Sequence, residues 1–353
     1  MSLSVTLSSM VDKLLVLARR YNMKKFTFGR IKNRFDKNIL TKEQKKSVEE
    51  FYSNYCKVST DFHCFYTEKT GVFSEKYIPD DVYFNRVNTY FNDKNLAKVI
   101  DNKCYYSLFF PELRQPDKLA ERKGGCWFIE KQLVSLDQVV DVLCKEPSMF
   151  IKAATSSCGG RGINYVDEKE CEDYRKCIKE VVEHIKGDII VQKPIVQHSD
   201  FSKLNESSVN TMRILSVLRN GEVKIYSSLL RIGKAKSKVD NGAVSVGINN
   251  DGKLKEYGYF LSGQRFIGHP DNGVVFKEYQ LPSFDKAKEM VKKAHLCLPH
   301  FKMVSWDIAI GEDGEPILIE VNLSYGEVSF HQLNNGPLFG DDTKEILDEV
   351  FGK

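Results

Sequence analysis

The stretch Met303 to Asn322, MVSWDIAIGEDGEPILIEVN, constrains this chain more than any other. Asp313-Gly314 is a strong short hairpin signal, because a two-residue type I′ turn needs positive φ at both positions. A turn centred there pairs Asp307 with Glu320. Side chains alternate along a strand, so Asp307, Glu320 and Asn322 share one face, while Val304, Trp306, Ile308 and Ile310 with Ile317, Ile319 and Val321 fill the other. The apolar face is a core. The polar face sets two carboxylates opposite each other, which repel unless positive charge sits between them, and an amide oxygen follows two residues on. That is an all-oxygen set suited to Mg²⁺, and a solvated strand face is the alternative the hairpin alone leaves open.

With 353 residues, 42% hydrophobic and 28% charged, the chain has the make-up of a globular enzyme of two or three lobes. No apolar run approaches the roughly 20 residues needed to cross a bilayer. The short apolar piece Leu14 to Ala18 has Asp12 and Lys13 before it and Arg19 and Arg20 after it, unlike a signal peptide. The expectation is a cytoplasmic protein whose nine cysteines, none in Cys-x-x-Cys spacing, are reduced thiols. Charge is uneven, because the first 46 residues are strongly basic and the remainder is mildly acidic. Residues 1–46 therefore form either a solvated helical face or a contact with an anionic partner such as a membrane surface, a lipid-linked phosphate or nucleic acid.

In chain order, Val11 to Tyr55 reads as helical, with Thr41-x-x-Gln44 as a capping box. Phe62 to Phe91 reads as aromatic and loop-rich. A short strand at Cys126 to Ile129 and a helix near Ser135 to Lys145 lead to the strand Met149 to Lys152. That strand runs into Ser156-Ser157-Cys158-Gly159-Gly160-Arg161-Gly162 and returns through Ile163 to Val166. Glycines among small polar residues let backbone N–H groups approach a phosphate, and Lys152 on the entering strand supplies matching charge. A mobile turn is the other reading, and no Walker signature is present. A helix from Lys169 to Lys186 precedes the strand Ile189 to Gln192, whose continuation Lys193-Pro194-Ile195 suits a hinge reading a purine edge with backbone groups. Asn220-Gly221 joins two long strands that carry Arg213 and Arg231 close enough to act together on an anion. Val274 to Phe276 reads as a strand. Ser283 reads as the cap of a helix with Phe284, Ala287, Val291, Ala294 and Leu296 on its buried side. A short amphipathic helix ends the chain.

The order Lys103, then Lys152 with its Gly-rich hairpin, then Gln192-Lys193-Pro194-Ile195, then Asp307 with Glu320-Val321-Asn322 thirteen positions on, resembles the ATP-grasp superfamily. Within it the chain is most similar to the sugar-transfer-associated and TupA-like branch, through Asn210-Thr211-x-Arg213, Leu230-Arg231-Ile232-Gly233, Val239-Asp240-Asn241, His269-Pro270 and Ser305-Trp306-Asp307, over about residues 60–340. The resemblance implies an α+β ATP-grasp fold, two lobes clasping ATP, with a helical N-terminal extension. It implies that Lys103 and Lys152 bind ATP phosphates, that Ser157, Gly159, Gly160 and Gly162 cover them, and that Gln192, Lys193 and Ile195 hold adenine. Asp307, Glu320 and Asn322 would hold Mg²⁺, and Arg213 and Arg231 would stabilise the transferred phosphoryl group. Lys193 stands where an acidic residue is frequent, and Ser305 where some peptide-forming relatives carry Arg.

The domain reading is a basic helical region (1–60), a segment ahead of the grasp (61–125), a small lobe with the Gly-rich loop (126–195) and a C-terminal lobe with the metal residues (196–353). The function implied is an ATP-dependent carboxylate–amine ligase working through an acyl-phosphate. It would join an amino acid or amine to a sugar acid or related carboxylate, free or lipid-linked, in surface polysaccharide biosynthesis. A kinase on the same fold, leaving phosphate on a small molecule or sugar, is the first alternative. A non-catalytic module binding nucleotide or nucleic acid is the second.

Overall fold

Two sheets carry the chain after residue 117 in the computed structural model, which describes residues 3–155, 162–234, 237–238, 242–324 and 326–353. The first contains β1 (Lys118–Lys123), β2 (Cys126–Ile129), β3 (Gln132–Val134), β4 (Ser148–Ala153), β5 (Ile163–Asp167) and β6 (Ile189–Gln192), in the order β3-β2-β1-β6-β4-β5. The second contains β7 (Thr211–Arg219), β8 (Glu222–Ile232), β9 (Val244–Ile248), β10 (Leu254–Tyr259), β11 (Arg265–Phe266), β12 (Met303–Ile310) and β13 (Pro316–Asn322), in the order β11-β10-β9-β8-β7-β12-β13.

The first sheet buries one face under the helices Leu136–Leu143 and Tyr174–His184. Val139, Val140 and Leu143 meet Met149, Ile151, Ile189 and Val191 there, with Ile178 and Val182 closing the layer. Ser135 and Gln138 cap the former helix reciprocally. The latter is shorter than the sequence reading because Asp173 caps it, its side chain accepting from Lys176 N–H. Strand alternation then leaves Phe150, Lys152, Ile190 and Gln192 on the opposite face.

In the second sheet Asn220 and Gly221 both take positive φ, 52° and 77°, as a type I′ turn between β7 and β8 requires. The hairpin of β12 and β13 forms by a different turn from the one expected. Its loop is three residues, Glu312-Asp313-Gly314: Gly314 N–H donates to Gly311 O at 2.9 Å, Gly311 N–H donates to Glu315 O at 2.9 Å, and Gly314 takes φ 78°. That loop pairs Ile310 with Pro316 and Ile308 with Leu318, which by itself would leave Asp307 opposite Ile319. A β-bulge between Asp307 and Ile308 restores the register, so Asp307 does face Glu320. Helix Phe284–Leu296 packs Phe284, Ala287, Val291 and Ala294 inward, as expected, but Leu296 is exposed. Ser283 is not a side-chain cap. It sits at φ 59° and its hydroxyl donates to Gly314 O at 2.7 Å. Residues 274–276 form only an isolated bridge, Gly268 with Val275.

By contacts the chain divides into two units, one of Met1–Asn92, Tyr259–Arg265 and Glu327–Lys353, the other of Asp93–Gly258 and Phe266–Gly326. The first unit is largely helical: Leu3–Ile31, Lys42–Tyr52, Asp61–Thr70, Val328–Asn335 and Thr343–Phe351. The Thr41–Gln44 capping box is present. Residues 61–91 are helical over most of their length rather than loop-rich, since their aromatic residues are core: Phe62, Phe65, Tyr66, Tyr83 and Phe84 are buried. Several polar groups within this core are paired. Tyr66 and Ser329 hydroxyls donate to Asp80, Gln332 bonds both backbone groups of Ile78, and Arg30 forks onto Glu327 at 2.9 and 3.0 Å. Burial pushes the Asp80 carboxyl up to about 6, against the pull of Ser329 and Tyr66.

Candidate active site

All the described residues expected to serve chemistry lie in the second unit. Across its sheet the register sets Glu320, Asp307 and Arg213 side by side on β13, β12 and β7. Arg213 Nε donates to Asp307 Oδ1 at 2.8 Å and its Nη2 to Oδ2 at 2.7 Å, and Asn322 Nδ2 reaches Oδ2 at 3.3 Å. Burial alone would raise the Asp307 carboxyl, yet the Arg213 guanidinium, its hydrogen bonds and the charge of Arg231 together hold it below the usual range. Arg231 lies opposite Thr211, one step diagonally from Arg213. Both arginines thus bear on the Asp307 carboxylate, Arg213 through its hydrogen bonds and charge and Arg231 through its charge.

Lys103 reads as an isolated surface lysine until its surroundings are known. It begins a single 3₁₀ turn, Lys103–Tyr105, that Asn102 caps by accepting from Cys104 N–H. Three bonds tie that turn to the first sheet: Lys103 N–H to Ala154 O at 3.0 Å, Cys104 Sγ to Ile189 O at 3.3 Å, and Asn102 Nδ2 to Asp188 Oδ2 at 2.7 Å. Lys103 is buried there, and its ammonium donates to Glu320 Oε1 at 2.7 Å. Lys152 Nζ donates to Gln192 Oε1 at 3.0 Å across β4 and β6. Burial, with the Lys103 charge nearby, lowers the Lys152 ammonium to about 8. Lys103 thus bridges the first sheet to the acid row of the second.

Sequence reasoning missed two residues. Asp101 is half-buried and pushed up to about 6, first by burial and then by the Glu320 charge. Tyr106 is buried, and its hydroxyl accepts from Val321 N–H at 3.0 Å, while Leu318 N–H donates to Arg114 O at 2.9 Å. Edge strand β13 is therefore covered by the segment from Lys103 to Arg114. Their only sequence signal is proximity to Lys103.

At the end of β6, Lys193 N–H donates to Asp117 O at 2.9 Å and its ammonium pairs with Glu146 at 2.8 Å. Among the described residues neither the Lys193 carbonyl nor the Ile195 N–H has a backbone partner. These two groups can accept from and donate to one planar edge. Arg114, Asp117, Pro194, Val196, Asp313 and Ile317 are among the residues that line a cavity of about 500 Å³ beside them. Gly162 takes φ 75° where the loop rejoins β5, and its carbonyl accepts from Ala153 N–H at 2.8 Å. A Cβ at 162 would lie 3.2 Å from that of Ala153. Ser157, Gly159 and Gly160 lie outside the described residues.

No group of three or more His, Cys, Asp or Glu among the described residues could hold a metal ion. Two carboxylates and an amide suit Mg²⁺ that arrives with phosphate oxygens, since this ion is usually bound through one or two carboxylates plus substrate phosphates. The residues fit a nucleotide-borne ion rather than a resident one.

The profile of the sugar-transfer-associated ATP-grasp family matches residues 83–346, well over half of the chain. No curated protein matches the chain. Among solved structures, D-alanyl-alanine synthetase A from Vibrio cholerae is 16% identical with a TM-score of 0.42, the match covering 72% of this chain and 64% of that one. VanG D-Ala:D-Ser ligase from Enterococcus faecalis is 14% identical, TM-score 0.41, covering 72% and 62%. Carboxyaminoimidazole ribonucleotide synthase from Aspergillus clavatus, complexed with ATP, is 15% identical, TM-score 0.37, covering 64% and 44%. The chain thus spans less than two thirds of the length of each.

Proposed function

We propose that this chain, which belongs to the sugar-transfer-associated ATP-grasp family and has the ATP-grasp fold, is an ATP-dependent carboxylate–amine ligase. The observation that carries the reading is the charge row Arg213–Asp307, Glu320–Lys103, with Lys152 close by. Within the row, Arg213 pairs with Asp307 and Lys103 with Glu320. A triphosphate with a divalent cation offers the same charges in complementary form, anions for the lysines and arginines and a cation for the acids.

On this reading Lys103 and Lys152 bind phosphate oxygens, and the loop with Ser157, Gly159, Gly160 and Gly162 covers them. The Lys193 carbonyl and Ile195 N–H read the adenine edge beside Gln192. Asp307, Glu320 and Asn322 are the residues that would hold Mg²⁺, which when bound offsets phosphate charge and orients the γ-phosphoryl group. A substrate carboxylate oxygen attacks the γ-phosphorus, the bond to the β-phosphate oxygen breaks, and ADP leaves with that electron pair. Arg213 and Arg231 face the charge that builds on the transferred group. An amine then adds to the acyl carbon, inorganic phosphate departs, and the amine loses its proton. Positioning and fixed charge suffice, so no nucleophilic side chain is required.

The family's association with sugar transfer suggests a sugar acid or related carboxylate, free or lipid-linked, as acceptor and an amino acid or amine as co-substrate in surface polysaccharide assembly. A requirement for ATP supports a cytoplasmic site for the reaction. The test is a screen of ATP consumption against paired uronic acids and amines, with products identified by phosphorus NMR. ADP and free phosphate, formed only when both partners are present, support the ligase. A stable phosphorylated acceptor would make the protein a kinase, and no ATP turnover with any pair would favour a binding module.

A further inference from the structure

Helix Leu3–Ile31 is anchored through its later turns. Thr27 and Ile31 are buried, and Asn85 Nδ2 donates to Arg20 O at 3.3 Å. Leu14, Leu15, Val16 and Leu17 are 63%, 51%, 43% and 59% exposed, and Tyr21 is 69% exposed. Four consecutive residues span a full helical turn, so this turn is apolar around its whole circumference rather than along one stripe. A helix that is hydrophobic all round belongs in an apolar phase.

The charges around it say which phase. Lys13, Arg19, Arg20, Lys24 and Lys25 bracket the apolar turn, and Asp12 is the one acid between Leu3 and Ile31. A second copy of this helix would bring the same cations against these and would still leave part of the turn wet. An acidic partner helix would match the charge but cover a single stripe. An anionic lipid surface meets both needs, since acyl chains surround the apolar turn while the lysines and arginines snorkel to the headgroups. No helix of the described residues is long and apolar enough to cross a membrane.

We infer that the N-terminal half of this helix is a peripheral membrane anchor, inserting the turn Leu14–Leu17 into an anionic lipid surface with Tyr21 at the headgroup boundary. The inference is independent of the reading of the nucleotide site. It is tested by flotation of the full chain with vesicles of phosphatidylcholine alone or mixed with phosphatidylglycerol, with sedimentation of the free protein alongside. A Tyr21→Trp variant reports entry into lipid through a blue-shifted fluorescence. Binding is expected only with phosphatidylglycerol and should weaken with added salt. The double variant Leu14→Glu/Leu17→Glu should lose binding by about tenfold or more, its melting unchanged because both positions are exposed. Absence of binding to anionic vesicles, or binding that the double variant retains, would overturn the inference. So would an oligomer of the free protein that the double variant dissociates, which would mark the turn as a contact between copies.

Discussion

Arg213 and Asp307 face each other on neighbouring strands and share two hydrogen bonds of 2.8 and 2.7 Å, with both side chains buried. Removing one partner of such a pair strands the other charge. Arg213→Met should cost about 3–5 kcal/mol of stability at neutral pH, measured by urea unfolding. Because the Asp307 carboxyl is depressed in the folded protein, the stabilisation is present above the ordinary carboxylate pKa. It is lost as pH falls through the lower folded value, so the gap between wild type and variant should close in acid.

Glu320 is the more accessible of the two acids and is bonded to a buried lysine. Glu320→Gln keeps the shape and removes the charge. Turnover should fall on the order of 10²–10³-fold, in the range found when one electrostatic contact to a reacting group is deleted. The fold should stay intact at a lower melting temperature, because buried Lys103 loses its counter-charge while the amide oxygen can still accept its hydrogen bond. A variant that turned over normally would remove Glu320 from the site.

Lys152 offers a pH signature. With its ammonium lowered to about 8, the side chain is charged below that pH and neutral above it. If it binds phosphate, ATP affinity should be flat through neutrality and weaken as pH rises past 8, and Lys152→Met should bind weakly with no such inflection. The linkage to folding has the opposite sense. The unfolded chain holds this proton up to its ordinary value near 10.5, so stability should rise with pH between about 8 and 10.5 in wild type and not in the variant.

The Lys193 carbonyl and Ile195 N–H, which have no backbone partner among the described residues, predict base selectivity. Inosine triphosphate presents a carbonyl where adenine has an amine, and a donor where adenine has an acceptor. It should bind more weakly than ATP by about 1–3 kcal/mol, the penalty for buried polar groups left facing the wrong partner. Competition against a labelled ATP analogue reads this, and equal affinities would place the base elsewhere.

The sequence was most legible where local rules suffice. Capping at Thr41 and the Asn220-Gly221 turn follow from residues within four positions of one another. The pairing of Asp307 with Glu320 was also reached, though through a turn one residue too short. The bulge that compensates depends on how β13 is tied along its outer edge by Tyr106 and Arg114, contacts no local pattern announces. Ser283 misled because its positive φ takes the hydroxyl away from the helix and onto Gly314. The aromatic content of residues 61–91 pointed to loops because the helical partners that bury it, Ser329 and Gln332 among them, come some 250 positions later. In the site, each residue type was visible, but not that Lys103 and Arg213 neutralise the two acids. Those pairs span 217 and 94 positions.

On this reading, the row from Arg213 to Lys103 exchanges its internal ion pairs for a metal–nucleotide. Calorimetric titration of ATP into the intact chain, with Mg²⁺ and again with excess chelator, tests it most directly. Saturable binding is expected with Mg²⁺, weakened strongly by the chelator and by Glu320→Gln. An absence of ATP binding with Mg²⁺ present, or an affinity indifferent to both changes, would contradict it.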